Sequence, residues 1–187
     1  MDSEVVRLLM LGDEKCGKTT FLSRLSAAEH TNPIPLLRDI HQPFVFNVQL
    51  DNKNYRLEFS DTSSPDSWRL LDPDVIIICY DISQRLSLIS IKRYWVDEVK
   101  KSFVRSDTLP VVIMGLKRDL RSEHDPNGII YPQEAYQVAQ SIRADRYVEC
   151  SAITGELLKP AFEDICKTAT KTTTPAGGQT EGGCVAI

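Results

Sequence analysis

Short apolar runs alternate along this chain with stretches whose apolar residues recur three and four apart. Val5 to Leu11 reads as a buried strand ended by Gly12, and Phe21, Leu22 and Leu25 follow at helical spacing. Phe44, Phe46, Val48 and Leu50 alternate with Val45, Asn47 and Gln49; after the turn residues 51–54, Tyr55, Leu57 and Phe59 alternate again. Period-two segments flanking a turn predict an antiparallel hairpin. Val75 to Tyr80, Val111 to Met114 and Tyr147 to Cys150 are further buried-strand runs. Between them Leu88, Ile91, Trp95 and Val99 form one helical stripe, and Ala135, Val138, Ala139 and Ile142 form another, opened by Pro132. Leu158, Ala161, Phe162, Ile165 and Ala169 give the last helical face. Strands alternating with helices predict an α/β fold: a mostly parallel six-stranded sheet, one antiparallel edge strand, and helices on both faces.

After Thr170 the pattern stops. The segment 172–183 is rich in Thr and Gly and lacks apolar periodicity, so it cannot bury enough surface to offset its chain entropy. The expected organisation is one domain over residues 1–170 and a flexible tail over 171–187. At 187 residues the chain is long enough for a full core without disulfides or a structural metal. The formal net charge of −4, without a basic block, argues against nucleic-acid binding. The five cysteines are scattered without CxxC spacing, the pattern of reduced thiols in a reducing compartment. The acidic start Met1-Asp2-Ser3-Glu4 is no signal peptide, and Asp2 stands where myristoylation requires glycine.

Gly12-Asp13-Glu14-Lys15-Cys16-Gly17-Lys18-Thr19 fits the pattern GxxxxGK[ST], with a strand before it and a helix after it. Glycines let the backbone wrap so that its N–H groups and the helix N-terminus point at phosphate oxygens. In such a loop Lys18 neutralises the β- and γ-phosphates and the Thr19 hydroxyl ligates Mg²⁺; Thr20 is grouped with them. The bland alternative is a strand–turn–helix corner that needs glycine for geometry alone. The loop does not by itself choose guanine, and small metabolic kinases also carry it.

Gly115-Leu116-Lys117-Arg118-Asp119-Leu120 follows the third buried strand and resembles the NKxD motif of Ras-superfamily GTPases, with Leu116 in place of the usual Asn or Thr. Cys150-Ser151-Ala152 resembles that family's SA loop, and Asp61-Thr62 matches the start of its DxxG motif. Asp119-Leu120-Arg121, Tyr131 to Ala135 and Tyr147 to Ala152 look specifically Rho-like. The resemblance covers residues 5–170 and implies a P-loop G domain binding GTP or GDP with Mg²⁺. It implies that Asp119 accepts hydrogen bonds from the guanine N1–H and 2-amino group. The Lys117 stem packs over the ring, the Ser151-Ala152-Ile153 backbone meets O6, and Asp61 joins Thr19 at the metal. His30 stands where the family has an aromatic residue over the base. Implied partners are effector proteins, exchange factors and a prenyl-binding chaperone, with the chain itself a monomer.

The departures cluster where hydrolysis takes place. Glu14 replaces a glycine beside the γ-phosphate, Ser64 replaces the DxxG glycine, and Pro65 replaces the glutamine that orients the attacking water. The segment from Asp61 to Asp74 is short for the family. Between Asn32 and Pro43 there is no Ser or Thr to ligate Mg²⁺, which leaves Asp39 as the nearest oxygen ligand. The stretch Ser122 to Ile130 is shorter than the helical insert of Rho proteins. This pattern resembles hydrolysis-defective Rnd-type Rho proteins, so no catalytic residue is assigned.

The chain ends Cys184-Val185-Ala186-Ile187, a CaaX box predicting prenylation of Cys184. Neither a polybasic run nor a second tail cysteine accompanies it, so one lipid should give reversible binding. The expected location is the cytoplasmic face of membranes, the plasma membrane foremost, with a cytosolic pool. The leading expectation is therefore a lipid-anchored guanine-nucleotide-dependent signalling protein with impaired hydrolysis, acting in cytoskeletal control. An ordinary cycling GTPase and a nucleotide-free interaction module are the alternatives, with a P-loop kinase more distant.

Overall fold

The computed structural model describes residues 3–28, 31–61, 65–126, 128–173 and 185–186. Strands β1 (Glu4–Gly12), β2 (Phe44–Leu50), β3 (Lys53–Asp61), β4 (Val75–Asp81), β5 (Val111–Leu116) and β6 (Arg146–Glu149) form one sheet in the order β2-β3-β1-β4-β5-β6. Only the β2–β3 pairing in it is antiparallel; β1 runs parallel to β3 and β4, and β5 parallel to β4 and β6. The predicted hairpin is therefore present and supplies the antiparallel edge. Asp51 and Asn52 turn it with φ of 48° and 61°, conformations that Asp and Asn tolerate. A two-residue strand, β7 (Val185–Ala186), adds a seventh member, pairing with Arg146 and Tyr147. This pairing falls within residues 171–187; the rest of residues 174–187, with the expected flexible segment, lies outside the described residues.

The apolar runs have a simple cause. In β1, Leu8 and Met10 face a core with Phe21, Leu22, Leu57, Phe59 and Ile165, while Leu9 and Leu11 face a second core with Trp95, Val99, Ala135 and Ala139. All seven residues of β4 are buried. A parallel strand covered on both faces must be apolar at every position, whereas β2 alternates because only one of its faces is covered.

Helices α1 (Lys18–Ser26) and α6 (Leu158–Lys171) supply residues to the first core. The second is covered by α5 (Pro132–Ser141) and by a helical run of three parts: α3 (Arg85–Ser90), a π-helical segment Ile91–Trp95, and α4 (Val96–Ser102). The sequence predicts a single helix there; the π segment turns Trp95 toward the loop after β1. A one-turn helix α2 (Pro65–Trp68) precedes β4. Its Trp68 is fully buried, with its ring 5.7 Å from that of Phe103. The loops after β1, β3, β4, β5 and β6 all leave the carboxyl ends of strands, where a doubly wound sheet gathers its site.

Candidate functional site

The loop after β1 is held by shape first. Gly12 has φ of 143°, and a Cβ there would lie 2.3 Å from the Cys79 carbonyl oxygen. No side chain fits at that crossing of β1 and β4. Lys15 and Gly17 also have positive φ, 60° and 113°. Left-handed residues within a tight loop turn successive N–H groups into a concave anion-binding nest. Gly17 is the N-cap of α1 and offers no side chain to its first turn, so those amides are open to an anion.

Lys18 is buried, and its ammonium donates to the carbonyls of Gly12 at 2.9 Å and Asp13 at 3.1 Å. The Thr19 hydroxyl donates to Asp61 Oδ2 at 2.5 Å. Asp61 is buried, and desolvation raises its pKa; the Thr19 hydrogen bond and the Lys18 charge oppose this, and Asp39 reinforces it. A hydroxyl and a desolvated carboxylate beside a buried ammonium are a hard-oxygen donor pair, a set that fits Mg²⁺. Gln42 fixes the strand end that presents Asp61: its Nε2 donates to the Asp61 carbonyl at 2.7 Å and its Oε1 accepts from the Asp61 N–H at 2.9 Å.

These groups surround a cavity of 780 Å³ lined by Glu14, Lys15, Gly17, Lys18, Thr19, Thr20, Asp39, Gln42, Asp61, Ser67 and Lys117. The Asp13 side chain instead accepts from Trp95 Nε1 at 2.8 Å, and Cys16 is buried under the loop, its thiol pKa raised by burial.

The second group of site residues comes from the loops after β5 and β6. Asp119 lies in a single 3₁₀ turn, Arg118–Leu120, and accepts from the buried Ser151 hydroxyl at 2.5 Å. The two loops are also joined by the Arg118 N–H donating to the Cys150 carbonyl at 3.2 Å. Arg24 of α1 reaches both neighbours of this group, donating through Nε to the Ala152 carbonyl at 2.8 Å and through Nη1 to the Thr31 carbonyl at 2.9 Å. Ile153 faces Thr20 and Arg24 across a smaller cavity of 390 Å³. Lys117 bridges the groups, since it lines the larger cavity and immediately precedes the Asp119 turn.

Several residues support the site through contacts that their place in the sequence does not reveal. Glu149 is buried and binds Arg121 through two hydrogen bonds of 2.5 and 2.7 Å, while Arg118 Nε lies 3.4 Å away. Tyr147 donates to the same carboxylate and shares a 2.9 Å hydrogen bond with Tyr80; burial raises the pKa of both tyrosines. One carboxylate thus holds both arginines that flank Asp119. An acid closing an apolar strand, as in Tyr147-Val148-Glu149, was the available signal. Gln42 and Asp81 are similarly visible only through their contacts.

His30, Thr62, Ser64 and Cys184 lie outside the described residues, as does the side chain of Pro65. Glu14 is described, exposed at the rim of the larger cavity. The described residues of 122–130 contain no helix.

Residues 7–171 match the model of the Ras family. The chain is 30% identical over 182 residues to the GTP-binding protein RHO2 of Saccharomyces cerevisiae, spanning 90% of this chain and 92% of that protein. With the strand order, the loop geometry after β1 and the paired loops after β5 and β6, this places the chain among the Ras-family small GTPases, as a Rho-like member.

Proposed function

We propose that this chain binds guanine nucleotide with Mg²⁺, hydrolyses GTP poorly, and signals from a membrane through effector proteins. The observation that carries the nucleotide reading is the Asp119–Ser151 hydrogen bond, set beside a phosphate loop and linked to it by Lys117. Asp119 keeps a second carboxylate oxygen for the guanine N1–H and 2-amino donors, and Ser151 fixes its orientation. Lys18 and the loop amides take the phosphates. Thr19 and Asp61 hold Mg²⁺, which neutralises phosphate charge when bound, and Asp39 faces the same cavity.

Three features support weak hydrolysis. Glu14 brings a carboxylate to the cavity rim, where negative charge opposes phosphate. Pro65 has neither an N–H nor a side-chain polar group with which to hold a water. The segment between Asp61 and Asp74 is short for the family, and helix α2 within it ends on the fully buried Trp68. The membrane reading rests on Cys184, since no helix among the described residues is long and apolar enough to cross a bilayer. Cytoskeletal effectors follow from the Rho likeness.

Chromatography of the nucleotide released on denaturing purified protein tests the first part, with GDP or GTP expected. Asp119→Asn exchanges an acceptor for a donor and should shift preference from guanine toward xanthine nucleotides; an unchanged preference removes Asp119 from base recognition. For the anchor, Cys184→Ser should leave the membrane fraction, and continued membrane residence would show that another group holds the protein there.

A further inference from the structure

The turn that carries Asp119 begins at a residue in an uncommon conformation. Lys117 has φ of 59° and ψ of 41°, the left-handed region, although it is not glycine. Such backbone persists where the surroundings over-determine it. The Lys117 ammonium donates to Asp81 Oδ2 at 2.7 Å. Asp81 is the last residue of β4 and is only 6% exposed. Its carboxylate is oriented independently of Lys117: Oδ1 accepts from the Ser83 N–H at 2.9 Å and the Ser83 hydroxyl at 2.6 Å. Its backbone is fixed as well, the Asp81 N–H donating to the Ser87 hydroxyl at 3.0 Å.

Between backbone and ammonium, the Lys117 stem crosses the phosphate loop. Its Cε lies 3.7 Å from the point a Cβ on Gly17 would occupy, and Leu116 lies 3.6 Å from that point. The Leu116 side chain has no polar atom to offer the loop. The base loop therefore meets the phosphate loop through apolar contact, and its polar tether runs sideways, through Lys117, to the end of β4.

We propose that Asp81 is a positioning residue for nucleotide binding, holding the Lys117 stem across the site so that it forms a fixed platform for the purine ring. The proposal rests on the guanine-nucleotide reading and deepens it. The ammonium is committed to Asp81, so the contribution of Lys117 to binding is packing area rather than charge on the phosphates. A charge-assisted bond to an already oriented, buried carboxylate removes the rotamer freedom that a lysine on a loop otherwise keeps. Loss of that bond should therefore be felt in the retention of nucleotide, and only through Lys117.

The test begins with labelled GDP on the unmodified protein; no binding overturns the nucleotide reading and this proposal together. With binding in hand, GDP dissociation is timed for Asp81→Asn, Lys117→Met and the double variant. Lys117→Met keeps a stem and removes the ammonium. Asp81→Asn should release GDP about tenfold faster, equivalent to ~1.4 kcal/mol. The double variant should release it no faster than Lys117→Met alone. An Asp81→Asn effect that is absent, or of equal size with and without Lys117, assigns Asp81 a merely structural part and overturns the proposal. Should Asp81→Asn fail to fold, Ser83→Ala loosens the carboxylate while keeping its charge. It should speed release about threefold, on the order of one neutral hydrogen bond, and again only when Lys117 is present; an equal effect in the Lys117→Met background overturns the proposal.

Discussion

The two sides of the larger cavity are built to different standards. On the side of Lys18 and Ser151, both are buried; Lys18 donates to the Gly12 carbonyl at the end of β1 and Ser151 to Asp119. At its rim, by contrast, Glu14, Lys15 and Asp39 are exposed, and Ile40 beside Asp39 is 81% accessible. Binding a nucleotide needs only groups the sheet can hold still. Hydrolysis needs a positioned water and loops that close over it, and the proposal of weak hydrolysis rests on the residues found there, Glu14, Ser64 and Pro65. A site can keep the first property while losing the second, because the two draw on different elements.

The comparison breaks most visibly if the rigid side is made to fail. Glu149→Ala leaves the Arg121 guanidinium, and the Arg118 side chain beside it, without their buried carboxylate. Breaking such a pair should destabilise the fold by about 3 kcal/mol. Urea unfolding measures this, and a change below about 1 kcal/mol would mean that the cluster is solvated and holds little. Lys18→Ala comes next. It removes a charge-assisted contact to phosphate and should weaken GDP binding by about 2 kcal/mol, read by titration with labelled nucleotide. Equal affinity in the two proteins would sink the phosphate-loop assignment.

The smallest effect is expected on the exposed side. Pro65→Gln alone should leave phosphate release from bound GTP unchanged over hours, with or without a Rho GTPase-activating protein, because Glu14 and the short segment before Trp68 remain. The intrinsic rate of a small GTPase is already as low as ~10⁻⁴ s⁻¹. Release at that rate in the unmodified protein, accelerated by the activating protein, would erase the contrast and restore an ordinary cycling GTPase.

Much of this was legible in the residues. The apolar runs of β1, β4 and β5 mark strands buried on two faces, and the alternation in β2 marks a strand buried on one. Gly12 to Thr19 names its own chemistry because a nest needs glycine at fixed offsets, and those offsets are local. Element ends were less legible. The 3₁₀ turns Asp39–His41 and Arg118–Leu120 and the π segment Ile91–Trp95 are single turns without a period to detect.

Sequence by itself determined the strand–loop–helix frame and the glycine pattern of the loop after β1, since backbone shape and side-chain chemistry act over a few neighbours. Only the tertiary structure decided what holds the site residues. Asp81 meets Lys117 across 36 positions, Gln42 meets Asp61 across 19, and Trp95 meets Asp13 across 82. Contacts at such separations arise when the sheet brings loops and helices from distant parts of the chain side by side, and one chain's hydropathy carries no record of which will meet.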